Sequence, residues 1–271
     1  FADFYDYHFY SELHFFRALL DEFAPRWRPE QPWLFGEFCD ADTFRDVRRL
    51  CDPQGELPWW ARADGAVNPQ GARWQYDLPE HGARLRAAGL WERGAELARI
   101  SAQQAAQYRK FVLELTRTYR EISGYAVAGE ADTPISTAGM WDDAGRLKFD
   151  PAGFRASNAD TVVLLGWDRR RAWVAGGDRP APWDTFAYNA GERVRAHVLV
   201  SHYGADSGPA RAAWSVTVAD GMPFAAGERM AAFAVTPGAL RELAVAEFLV
   251  PDVDAPCQAV LRAVAEIGGQ P

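Results

Sequence analysis

The chain has 271 residues, 48% of them hydrophobic and 24% charged, with a formal net charge of -8. That length suits two domains or one large one, and the composition excludes a disordered chain. The acidic balance argues against a nucleic-acid partner, and no apolar run reaches the roughly 18 residues that a membrane-spanning helix needs.

Residues Phe1 to Tyr10 are aromatic-rich and extended in character. No signal-peptide pattern precedes them, and the segment opens in mid-strand, so the natural N-terminus is expected to lie upstream. Ser11 then reads as a helix N-cap, and Leu13, Phe16, Leu19, Leu20 and Phe23 recur at three- and four-residue spacing, the mark of a helix with one apolar face. Pro25 ends it. The run Trp33-Leu34-Phe35-Gly36-Glu37-Phe38 reads as a parallel strand buried on both faces, closed by a carboxylate. A long polar stretch follows, from about Cys39 to Gly82, carrying Trp59, Trp60, Trp74 and Tyr76. Loops of that length in compact domains are usually lids or binding loops. Ala83 to Arg99 is helix-prone, and Ser101 is expected to cap a further helix with the stripe Tyr108, Phe111, Val112, Leu115 and Tyr119. A strand is expected at Ile122 to Val127, then a loop with Asp132-Thr133-Pro134. Strand, helix, strand, loop, helix, strand is the alternation of a parallel sheet or barrel.

After about Asn158 the pattern changes. Val162 to Leu165, Val194 to Val200, Trp214 to Val218, Leu243 to Val250 and Ala259 to Ile267 are strand-like and separated by turn residues. Polar and apolar residues alternate from Arg193 to Val200, as in a half-buried antiparallel strand. A β-sandwich is expected over 158–271, and the βα part over 1–157.

In parallel barrels the catalytic groups stand at the C-terminal ends of strands, and Glu37 has that place. A carboxylate closing an apolar strand needs a reason, either chemistry or an ion pair such as one with Arg45. His8 and Tyr10 fall on one face of an extended segment, and both can donate hydrogen bonds to a carboxylate or a sugar hydroxyl. Trp59, Trp60, Trp74 and Trp141 are candidate platforms for apolar sugar faces, and Asp132 could hydrogen-bond substrate or cap a turn. The cysteines Cys39, Cys51 and Cys257 have no zinc spacing, though Cys39 and Cys51 could pair in an oxidising compartment. His14, His81, His197 and His202 lack metal-ligand spacing, and no Gly-rich phosphate loop or G-x-S-x-G elbow is found, so no cofactor or metal is called for.

These residues resemble a known family. Trp33 to Phe38 is similar to the seventh-strand motif of the large glycosidase clan with (β/α)8 barrels, and His8-Phe9-Tyr10 to the His-x-Tyr after its sixth strand. Ile122-Ser123-Gly124-Tyr125, followed by Asp132 to Gly139, resembles the eighth-strand region of glycoside hydrolase family two, which includes β-galactosidases, β-mannosidases and β-glucuronidases. The resemblance implies the C-terminal part of a (β/α)8 TIM barrel followed by an all-β sandwich. It also implies a retaining glycosidase with Glu37 as nucleophile, Tyr10 orienting it and His8 on a sugar hydroxyl. Two departures stand out. The family's acid/base Glu, on the fourth strand, would lie before Phe1. Ala126-Val127-Ala128 offers no sugar-facing Trp, so Trp141 or a loop Trp would substitute. The implied partners are a carbohydrate and the remainder of the barrel, whose open edges also allow association between copies of the chain. The alternative is a non-catalytic carbohydrate-binding or scaffold protein that kept the fold and lost the chemistry. Nothing in the sequence chooses between a cytoplasmic and a secreted protein.

Overall fold

The computed structural model describes residues 3–11, 13–62, 77–169, 185–218, 221 and 223–269, without the side chain of residue 14. Trp74, Tyr76 and the side chain of His14 therefore lie outside the described residues. Up to residue 157 the elements run β1 (Tyr5–Asp6), α1 (Leu13–Phe23), β2 (Trp33–Phe38), α2 (Val47–Leu50), α3 (Leu78–Ala87), α4 (Gly94–Thr116), β3 (Ile122–Val127) and α5 (Pro151–Ser157). The strands form one sheet of order β1-β2-β3, parallel at both pairings, with Tyr5 beside Trp33 and Phe35 beside Tyr125.

The apolar stripes read from sequence do the packing. Phe16 and Leu20 of α1 and Val112, Leu113 and Leu115 of α4 bury Trp33, Phe35 and Phe38 of β2 and Ile122 of β3 in one core. Rings of Phe9 and Trp27 close round Trp33 at centroid distances of 5.7 and 4.4 Å, and Phe23 packs on Phe9 at 4.5 Å. Fully burying each such side chain contributes about 1.5–3 kcal/mol. β2 is covered on one face only, with Leu34 half-buried and Gly36 exposed. The expected burial on both faces fails because, among the described residues, α1 and α4 pack on a single side and nothing covers the other.

Three helical expectations change. The stretch expected as one helix at Ala83–Arg99 is split by Gly89, whose φ of +69° ends α3. The helix expected to start at Ser101 starts at Gly94, so Ser101 is an interior residue of α4. The loop 39–82 also contains α2 and a 3-10 turn at Trp59–Ala61 and ends in the first turns of α3.

Beyond residue 158 the strands are β4 (Thr161–Trp167), β5 (Arg193–His202), β6 (Gly208–Val218), β7 (Pro223–Val235), β8 (Ala239–Leu249) and β9 (Ala259–Ile267). They form two antiparallel sheets, β4-β5-β8 and β7-β6-β9. Val198, Val200 and Leu243 of the first meet Ala210, Ala212, Val235 and Ile267 of the second in a shared core, so this region is a β-sandwich. β7 escapes a reading by pattern because it is Ala-rich and mostly exposed. Its Gly227 is required by packing: a Cβ there would stand 2.7 Å from the Trp214 indole. Arg117, at the end of α4, ties the two parts together by donating to Ser201 Oγ at 3.1 Å and to the carbonyls of Asp160 and Ser201.

Cys39, Cys51 and Cys257 are all free. Burial pushes the Cys39 thiol from its ordinary 9.0 up to about 12. A group raised on folding keeps its stabilising effect below its unfolded value, so Cys39 weakens the fold as pH climbs from about 9 towards 12. At pH 8 iodoacetamide is expected to alkylate the exposed Cys257 and leave Cys39 unmodified until the chain unfolds. Peptide mapping by mass spectrometry checks this, and equal labelling of both under native conditions would refute it.

Candidate active site at the end of the second strand

β2 pairs irregularly with β3 between Phe35 and Phe38. An extra residue in a ladder re-aims the side chains beyond it. Here it lets Phe38 turn into the core while Glu37, its neighbour, stays half-exposed at the C-terminal end of the sheet. Gly36 makes this close approach possible. Its N–H donates to Asp6 Oδ1 at 2.6 Å, and a Cβ on it would fall 2.4 Å from the same carboxylate. The turn after the strand holds Cys39 at φ +65°, an uncommon conformation for a residue with a Cβ.

Three of the residues singled out from sequence come together here. His8 Nδ1 lies 2.8 Å from Glu37 Oε2, and its Nε2 lies 3.4 Å from Asp6 Oδ2. A ring with a carboxylate on each nitrogen donates to both only when it carries two protons. Tyr10 hydrogen-bonds Glu37 as well, and burial followed by that carboxylate raises its phenol well above the usual tyrosine range. Both residues lie beyond β1, which is only two residues long, rather than within a strand reaching to Tyr10. The alternative partner considered for Glu37 is engaged elsewhere: Arg45 pairs with Asp143 at 3.1 Å and donates to the carbonyls of Thr133 and Ser136.

Sequence reasoning missed the next layer. Burial, and then Asp42, raise the Asp40 carboxyl, and Glu37 adds to the effect. Buried Arg109 donates to the Ala138 carbonyl, while its Nε and Nη1, like Asp40 Oδ1, find no hydrogen-bond partner among the described residues. Tyr108, pushed up to about 12 by burial, donates to the Ser11 carbonyl at 3.3 Å. The available signal was Arg109 itself, a cation inside an apolar helical stripe. Such a group is rarely buried without a polar neighbour to receive it.

The remaining predicted residues lie apart from Glu37. Asp132 accepts from Lys148 and from Gly139 N at 3.1 Å, in the loop after β3. Trp60 and Asp132 line a separate cavity of about 530 Å³. Trp59 is exposed on the 3-10 turn, and Trp141 is half-buried and bridges Ala131 and Leu147. No group of three or more possible metal ligands occurs among the described residues, and no described helix is long and apolar enough to cross a membrane.

No family model and no curated relative matches the sequence. Among solved structures, the crystal structure of a β-D-mannosidase from Dictyoglomus thermophilum superposes with a TM-score of 0.50 at 13% identity. The match covers 98% of this chain and 29% of the mannosidase, and the likeness is one of fold.

Proposed function

We propose that the chain is the nucleophile-bearing part of a retaining β-glycosidase related to family two, with Glu37 attacking the anomeric carbon. The observation that carries the reading is the joint grip of His8 and Tyr10 on Glu37 at the C-terminal end of a parallel strand. Donors on both sides of a carboxylate fix its orientation for attack without burying it. The fold likeness to a β-D-mannosidase supports the same reading. In this account β1, β2 and β3 are barrel strands six to eight, and 1–157 and 158–271 are separate domains.

Among the described residues β1 and β3 are both edge strands of the parallel sheet, the kind of edge to which a further strand can add. The rest of the barrel, from the same polypeptide or another, would cover them and supply the acid/base carboxyl. That group belongs about 5–5.5 Å from Glu37 in a retaining enzyme. Asp6 holds His8 and the Gly36 amide, and so acts as a positioning residue for the strand end.

The test is covalent trapping with 2-fluoro glycosides bearing activated leaving groups, which need little acid assistance. The sugars are mannose, galactose, glucose and glucuronic acid, applied to this chain and to a version with the barrel completed. A mass increase that maps to Glu37 is expected on the completed protein, and the sugar that reacts names the specificity. A folded, completed protein that takes no label, or takes it at another carboxylate, removes Glu37 from the nucleophile role. It would leave a carbohydrate-binding protein without chemistry.

A further inference from the structure

β9 is one of the two edges of the β7-β6-β9 sheet, and among the described residues nothing pairs with its outer side. Sheet edges are usually blunted by a bulge or a proline. β9 has neither. All nine of its residues pair with β6 in unbroken register, from Ala210 beside Ile267 to Val218 beside Ala259. The pairing of the opposite edge, β7, is interrupted twice by register shifts. Just past β9, Gly268 donates its N–H to the Pro209 carbonyl at 3.0 Å. Backbone groups in an antiparallel ladder turn alternately to one side and the other. Val260, Arg262, Val264 and Glu266 therefore turn theirs to β6, and Leu261, Ala263, Ala265 and Ile267 turn theirs to the open side. The side chains divide in the same way. Ala263, Ala265 and Ile267 pack into the sandwich core, while Arg262 and Val264 are exposed and Glu266 is half-buried. Arg262 has no hydrogen-bond or ion-pair partner among the described residues. Glu266 reaches Arg211 at 3.9 Å, a guanidinium already held by Glu228 at 2.8 Å.

We propose that β9 pairs antiparallel with β9 of a second copy of the chain, across a twofold axis at Val264. Charge complementarity selects both the occupant and the register. With Val264 opposite Val264 of the second copy, Arg262 faces Glu266 and Glu266 faces Arg262, so both ion pairs form at once. On the inner face Leu261 meets Ile267 and Ala263 meets Ala265. The backbone agrees, because Ala263 and Ala265 exchange the hydrogen bonds and the Val264 pair is the close, unbonded kind. Other registers fail on charge. The neighbouring ones set Arg262 against Val264, or Val264 against Glu266. The next ones set Arg262 against Arg262, or Glu266 against Glu266, which is destabilising. The two three-stranded sheets join into one across the axis. This pairing uses neither the edges of the parallel sheet nor Glu37, and it stands whether or not the chain belongs to a glycosidase.

Sedimentation equilibrium of the chain tests this, and is expected to show a monomer–dimer equilibrium with a Kd of roughly 100 µM or below. Val264→Lys sets two ammonium groups together on the axis and is expected to weaken the dimer about tenfold, as is Arg262→Glu. Both positions are exposed, so neither change threatens the fold. The swap Arg262→Glu, Glu266→Arg restores the opposite charges and is expected to bring association back to within about threefold of wild type. Crosslinking reads the register directly, in a Cys257→Ser background that removes the exposed native thiol. Under mild oxidation Val264→Cys is expected to give a disulfide-linked dimer, and Arg262→Cys is not, because its thiols stand apart on either side of the axis. A chain that stays monomeric, or a dimer untouched by Val264→Lys and Arg262→Glu, would overturn the proposal, and the second result would move the contact to another surface such as β1 or β3. A charge swap that restores nothing, or equal crosslinking at 262 and 264, would overturn it as well.

Discussion

On the proposed function, Glu37→Gln in the completed protein is expected to lower kcat for an unactivated β-glycoside by roughly 10⁴-fold or more, about 5 kcal/mol of transition-state stabilisation. The amide keeps the shape of the side chain and can still meet Tyr10, but it cannot form the glycosyl ester through which a retaining enzyme passes. A second variant separates lost chemistry from lost structure. Glu37→Ala opens a space beside His8 and Tyr10 that a small anion can enter. With azide and an aryl β-glycoside bearing an activated leaving group, turnover is expected to return, and the product is an α-glycosyl azide of inverted configuration. The azide takes the place of the carboxylate and the aryl oxide leaves with the bonding pair, so no acid is required. If Glu37 served only to hold His8 and Tyr10, azide would rescue nothing. Glu37→Gln would then keep most of its activity, and either result would end the nucleophile assignment.

Why Glu37 could be found from sequence, and the burial of Arg109 could not, follows from the range over which each is positioned. Glu37 ends an apolar run whose register, C-terminal direction and neighbours are dictated within a few residues. His8 and Tyr10 are brought to it by one parallel pairing, Tyr5 beside Trp33 and Asp6 beside Leu34. Local pattern and a single strand contact are enough. Most sandwich strands were legible for the same reason, since alternation records which face is buried. β7 carries almost no alternation because little of it is buried, and it is held by pairing to β6 instead. The split of the expected helix at Gly89 turned on one backbone conformation, φ +69°, which glycine permits but does not announce. Arg109 and Lys148 depend on contacts between residues about 30 to 105 positions apart in the chain, such as Arg109 with Ala138 and Lys148 with Thr43. Composition and period carry no information about such pairs. Asp132 was noticed as a polar residue in a loop, and what the loop does with it became visible only with Lys148 beside it.

Lys148→Met is expected to destabilise the protein by about 3–5 kcal/mol, because it strands the Asp132 carboxylate in a site that is almost wholly buried. Both side chains are shielded from solvent, and burial is the largest influence on each, raising the Asp132 carboxyl and lowering the Lys148 ammonium. Neither charge is comfortable alone. Asp132→Asn alone is expected to cost a similar amount for the converse reason. The double variant Asp132→Asn, Lys148→Met removes both charges together and is expected to recover about 2–4 kcal/mol relative to the sum of the single changes. Urea midpoints for the four proteins, measured at one pH, give the coupling; additive losses would mean that the pair is not interacting. The consequence reaches Glu37 through the chain. Lys148 also donates to Thr43 Oγ1 at 2.8 Å and to the Thr137 carbonyl at 2.7 Å, while Asp42 accepts from Thr137 N and Oγ1. Together these contacts clamp the segment leaving Glu37 to the loop that follows β3. Without Lys148 the bonds from Thr43 N and Oγ1 to the Thr137 carbonyl and from Thr137 to Asp42 remain, so the hold on the four residues between Glu37 and Asp42 loosens but is not lost. On the proposed function, the completed protein carrying the double variant is therefore expected to be less stable than wild type, though by less than the two single losses combined, and to turn over more slowly, because the Lys148 contacts to Thr43 and Thr137 are gone.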